Sequence, residues 1–270
     1  AVQVIPESAP QDVETTELLD RLRTETIPPL EDATGVSASV GGFQAVTQDF
    51  TGVINDALPL FLTVVVGLGF LALVSLFRSI VVPLTGALTS LLSLAAALGV
   101  TTAVFTWGWG ASLIGVDSTG PIFPFLPVMV FAILFGLSMD YQVFLVSRMQ
   151  EEWLSTGDNR AAVRRGLAGS GRVVVIAALI MASVFLAFVP SPTTEIKLFG
   201  VALGSAVLID AFIVRLVLVP SVMTIIGKAN WWLPGPLERI LPKVEIEGGS
   251  DEIADDPELE GDRELSPAGR

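Results

Sequence analysis

Six stretches of this chain carry no Asp, Glu, Lys or Arg: residues 57–77, 79–116, 118–139, 173–194, 198–209 and 216–227. An α-helix rises about 1.5 Å per residue, so about 20 apolar residues cross a hydrocarbon core about 30 Å thick. The pattern predicts a mainly α membrane protein with five transmembrane helices, over about 57–77, 80–105, 122–147, 173–189 and 198–219, inside a membrane domain of residues 46–227.

The flanks read differently. Residues 2–5 fit a short strand, Val13, Leu18, Leu19 and Leu22 recur near helical spacing, and residues 35–42 alternate like a second strand. Strand, helix, strand predicts that residues 1–45 are one βαβ piece of a split ferredoxin-like subdomain. Such a fragment leaves sheet edges open, so its partner strands are expected upstream of Ala1, and the opening "AVQVIP" reads as the interior of a longer protein. Residues 228–243 form an interfacial segment anchored by Trp231 and Trp232, and Trp107 and Trp109 suit the same aromatic belt.

Composition sharpens the membrane reading. The chain is 51 % hydrophobic and 16 % charged, where a soluble domain carries about a quarter charged residues. Its net charge of −13 is no sign of an acidic binding surface, because ten of the 28 acidic residues fall in residues 244–270. That tail has the composition of a solvated, disordered segment. The absence of cysteine and histidine excludes disulfides, thiolate chemistry and histidine-based metal sites. Any proton carrier within the spans must then be Asp, Glu or Tyr.

Basic residues set the expected orientation. The loops after the first and third spans hold six arginines, Arg78, Arg148, Arg160, Arg164, Arg165 and Arg172, whereas the other two hold only Lys197. Positive loops stay in the cytosol, which puts the N-terminal segment outside and the acidic tail inside. The same rule accounts for the arginine cluster without nucleic acid.

Ionisable groups inside a bilayer are costly and are functional candidates by default. Asp140 lies seven residues, about 10 Å, from Ser147 at the cytosolic end of its span. A side chain that short does not reach the headgroups and must face protein or water. Gly136, Asp140, Val143 and Ser147 recur at three- to four-residue spacing and form a stripe of mostly small or polar residues, suited to close helix packing. Tyr141 points about 100° away and needs a different partner. A carboxyl beside a phenol at that depth suits a group that gains and loses protons, with a merely structural hydrogen bond as the bland reading. Asp210 and Arg215 are the other two intramembrane charges. Five residues is a poor α-helical pairing distance, and Arg215 can snorkel, so an ion pair and two separate roles both stay open. "GLAGSG" (residues 166–171) lacks the Lys-Ser/Thr of a phosphate-binding loop and is expected to cap and start the fourth span.

The runs "WGWGASLIGVDSTGPI", "LPVMVFAILFGLSMDYQVFLVSRMQEEW", "GDNRAAVRRGLAGSGRVVVIAALIMASVFLAF" and "LIDAFIVRLVLVPSVM" resemble the C-terminal membrane half of an MMPL-family transporter, within the RND superfamily. The resemblance implies an RND-type bundle that is half of a twelve-span exporter of lipids, hydrophobic metabolites or drugs, with residues 1–45 as a partial βαβ fragment of its extracytoplasmic porter domain. Proton influx would drive it through Asp–Tyr pairs, with Asp140 and Tyr141 as one pair and Asp210 and Arg215 as polar residues of the same relay. It implies no cofactor, no metal and no enzyme activity. The implied partners are protons, a lipid or other hydrophobic substrate, the plasma membrane and the missing N-terminal half, with a homo-oligomer left open. The competing expectation is a membrane sensing or scaffold module that transports nothing and needs no titrating carboxylate.

Overall fold

In the computed structural model the described residues are 2–8, 13–116, 120, 122 and 124–240. The acidic tail lies outside them. Five helices are long and apolar enough to cross a membrane. Helix α3 covers Phe43–Phe77, α4 Val81–Phe105, α5 Leu126–Thr156 and α6 Asn159–Leu186. The last spanning helix is continuous over Thr194–Trp231. It begins as α7 (Thr194–Leu208), widens to a π-helix over Ile209–Leu218 and closes with α8 (Val219–Ile226) and a 3₁₀ turn.

These helices outrun the apolar stretches that announce them. Helix α5 continues past Ser147 to Thr156, where Gly157 takes a left-handed conformation (φ 65°) and reverses the chain. Asp158 then caps α6, its carboxylate accepting from the backbone N–H groups of Arg160 and Ala161. The turn joining two helices is therefore only two residues long, and α5 and α6 pack along one another as an antiparallel pair. The glycines of "GLAGSG" neither cap nor start a helix, since all three lie inside α6. Gly166 has a packing reason: a Cβ there would sit 2.8 Å from the backbone N and Cα of Met149 in α5.

The N-terminal segment corrects the βαβ expectation. No strand forms among the described residues, and residues 2–5 and 35–42 are irregular. Alternation alone does not make a strand; a strand exists through backbone hydrogen bonds to a neighbour, and these two segments do not pair with each other. Val2, Ile5 and Val36 stay exposed. From Val13 to Thr34 the chain is helical, as α1 (Val13–Arg21), a π turn (Leu22–Thr26) and α2 (Ile27–Thr34). Pro28 and Pro29 explain the π turn, because each lacks an N–H and crowds the carbonyl four residues earlier, which a wider turn relieves. Arg23 ties this segment to the start of α3 by a forked pair with Asp49, in which Nη2 donates to Oδ2 over 2.9 Å.

Helix α4 is central and α3 peripheral: 56 % of the apolar window of α4 is buried, against 17 % for α3. The outward apolar residues, among them Leu60, Leu68 and Leu71 of α3 and Ile176, Ile180 and Val184 of α6, suit hydrocarbon as solvent. Besides a smaller cluster of Val174, Ala178, Ala182, Val207 and Ala211 between α6 and the last helix, two apolar clusters fill the ends of the bundle. One, around Leu94, Phe105, Leu126, Phe131, Leu134 and Leu203, occupies the end nearest the tryptophan loop. The other, around Phe77, Val82, Leu145, Met149, Val214 and Met223, occupies the arginine-rich end. Trp231 belongs with the second cluster. It stacks on Trp153 with centroids 6.0 Å apart and donates to Asn159 Oδ1 over 3.1 Å, while Trp232 alone of the pair stays exposed.

Candidate functional site

Between the two clusters lies a polar waist. Ser90 and Ser93 reach it from the middle of α4, Ser138 and Gln142 from α5, and Asp210 and Arg215 from the π-helix. All six are buried; Asp210 is 2 % exposed and Arg215 0 %. Arg215 Nε donates to Asp210 Oδ2 over 3.3 Å. The π-helix makes this possible. Its hydrogen bonds run from residue i to i+5, so groups five apart, which an α-helix would splay, stack on one face. The reservation drawn from α-helical spacing falls with that change of helix type, and the pair forms. Pro220, lacking the N–H that either ladder needs, follows directly and ends the wide segment.

Hydroxyls complete the pair. Ser93 Oγ donates to Asp210 Oδ1 over 2.9 Å, and Ser138 Oγ donates to the same oxygen over 3.3 Å. Arg215 Nη2 donates to the Ser138 carbonyl over 2.6 Å and also to its hydroxyl oxygen. Ser138 directs its one proton at Asp210, so at the 2.9 Å contact with Ser90 it accepts. The carboxylate thus holds two hydroxyl donors and a guanidinium in a site with apolar packing on both sides. Buried charges persist in such a place only when paired and hydrogen-bonded.

Asp140 is elsewhere. It lies on an exposed face of α5 together with Gly136, one helix face away from Ser138 and Gln142. Ser147 is half-buried on the same helix, as is Tyr141. The structure therefore joins Asp210 to Arg215 and leaves Asp140 facing outward, with Tyr141 half-buried beside it in sequence.

The serines and Gln142 escaped the reading of ionisable groups. Their spacing carried a signal: Gly86, Ser90, Ser93 and Ala97 recur at three or four residues on α4, and Ser138 and Gln142 are four apart on α5. Among the described residues, no group of three or more acidic residues is placed to hold a metal ion.

Five membrane-length helices around a buried ion pair define a multi-pass integral membrane protein. The chain belongs to the MMPL family, whose profile matches residues 2–243. It is 44 % identical over 247 residues to Membrane protein YdfJ of Bacillus subtilis, covering 92 % of this chain and 33 % of that protein. It is 39 % identical over 240 residues to the Mycolic acid-containing lipids exporter MmpL11 of Mycolicibacterium smegmatis, with 88 % and 25 % covered. The Trehalose monomycolate exporter MmpL3 of the same organism is 34 % identical over 259 residues, with 95 % and 24 % covered. The chain spans about a quarter to a third of the length of these relatives.

Proposed function

We propose that this chain supplies the C-terminal membrane domain of a proton-driven exporter of lipids or similar hydrophobic molecules, and that Asp140, Tyr141, Asp210 and Arg215 form its intramembrane proton relay. The observation that carries the reading is the buried Asp210–Arg215 pair with its serine ligands, held between two apolar clusters. A bundle kept together by packing alone has no need of it, since replacing a buried ion pair with apolar residues is often neutral or stabilising. Family membership and two relatives named as lipid exporters support the substrate class.

The outward position of Asp140 fits the same account. A carboxylate on the surface of a membrane helix costs at least about 2.5 kcal/mol against lipid, so that face requires a polar partner or a water-filled gap. The small residue Gly136 one turn away lets a second helix approach closely. The N-terminal half of the same transporter is the partner proposed here, with the arginine-rich loops in the cytosol and the N-terminal segment outside. Protonation at Asp140 would discharge that interface and let the halves move, while Tyr141 couples it to Asp210. A sensing or scaffold module would need neither carboxylate to titrate.

The test is Asp210→Asn in the full-length protein reconstituted in proteoliposomes under an imposed pH gradient. Loss of both proton influx and lipid export is expected when equal amounts of folded protein are compared. Unchanged proton influx would refute the relay.

A further inference from the structure

Gln142 is the one residue of the waist whose side chain finds no protein partner at all. It is 1 % exposed, and neither its amide nitrogen nor its amide oxygen is hydrogen-bonded. Nη1 of Arg215 is also buried and unpaired, although the other guanidinium nitrogens are engaged. Both residues are anchored to Ser138. The Ser138 carbonyl that accepts from Arg215 Nη2 also accepts, along the α-helical ladder, from the backbone N–H of Gln142. Across from Gln142, helix α4 presents Gly86, where an added Cβ would stand 3.1 Å from the amide nitrogen.

Leaving a buried polar atom unsatisfied costs about 1–3 kcal/mol, and such atoms in native proteins are met by ordered water. Two donors and one acceptor, from Gln142 and Arg215, make a set complementary to water. We propose that Gln142 and Arg215 Nη1 hold a buried water at the arginine-loop side of Asp210, and that this water is the last link by which protons pass between Asp210 and the cytosolic end. The inference rests on the proton-relay reading above. Its position follows from chain order. Gln142 lies one turn beyond Ser138 towards the arginine-rich end, and the apolar cluster of Phe77, Val82, Leu145 and Met149 closes the way beyond it. That cluster is the barrier that has to open for the water to exchange. Gln142 acts here as a positioning residue, holding the water rather than taking the proton.

The test uses the full-length protein in proteoliposomes and a high-resolution map of the unmutated protein. Q142L removes the amide at similar volume, whereas Q142N keeps an amide and leaves room for water. Q142L is expected to slow proton influx about tenfold or more, and Q142N to stay within about threefold of the unmutated protein. Q142L should melt no lower, because it deletes unsatisfied groups. The map should carry a water peak within hydrogen-bond distance of both Gln142 and Arg215 Nη1. Wild-type influx in Q142L, equal loss in both variants, or direct protein contact without water in the map each overturns the proposal. Asp210→Asn separates the two levels: if its influx is normal, the relay reading itself has failed.

Discussion

Removing one partner of the buried ion pair gives the sharpest stability prediction. In Arg215→Met the stem is replaced by an apolar chain of similar reach, and Asp210 loses the cation it pairs with. Two hydroxyl donors remain, Ser93 at 2.9 Å and Ser138 at 3.3 Å, so the carboxylate is left hydrogen-bonded but unpaired inside the bundle. Breaking a buried pair this way costs about 3–5 kcal/mol. Asp210→Asn leaves the converse problem, a guanidinium whose remaining partners are the carbonyl and hydroxyl of Ser138. The double variant leaves no unpaired charge. It should therefore recover much of the summed loss, with a coupling energy of about 2 kcal/mol or more. Reversible unfolding of the full-length protein in mixed detergent micelles, run on all four members of the cycle, measures this directly. Strict additivity, with a coupling below about 0.5 kcal/mol, would refute the claim that Asp210 and Arg215 are energetically paired.

Helix packing and loop anchoring supply two further predictions. Gly166→Ala should lower the melting temperature, by an overpacking cost of about 1–3 kcal/mol, because the new methyl meets the Met149 backbone at 2.8 Å. Gly169→Ala, three residues along the same helix with nothing within 4 Å, should leave it unchanged or raise it; equal effects would refute the close α5–α6 contact. Lys197 is 7 % exposed and its ammonium donates to the carbonyls of Ile114 (2.8 Å) and Gly115. Lys197→Met should speed backbone hydrogen exchange over residues 111–116 without moving exchange at the polar waist, and unaltered exchange there would refute that anchoring role.

The sequence announced five membrane-length helices because hydrocarbon allows only one economy of backbone hydrogen bonds for a single apolar segment, and charge-free runs mark it. It also marked Asp140, Asp210 and Arg215 by their cost. It did not announce their pairing. Spacing rules assume 3.6 residues per turn, and nothing local to "IDAFIVRLVL" except the following proline signals a wider helix. The serines were quiet for another reason: Ser and Thr in apolar helices usually bond their own backbone, as Thr85, Thr89 and Thr101 do here. Only the tertiary fold, which places Ser93 of α4 against Asp210, separates a ligand from a bystander. The N-terminal strands failed on the opposite ground, since period-two alternation over residues 35–42 states which face could be buried but supplies no partner to bury it. Trp231 shows the same limit, reading as an interface anchor until Trp153 and Asn159 claim it.

The central claim is that the intramembrane carboxylates carry protons that drive export. Its most direct test is proton influx into proteoliposomes holding the full-length protein with Asp140→Asn, matched for amount and for melting behaviour, under an imposed pH gradient. The account predicts that influx and lipid export fall together, by about 100-fold or more, as expected when a group that transfers protons is removed. Influx and export at the rate of the unmutated protein would show that Asp140 is structural and that the relay runs elsewhere.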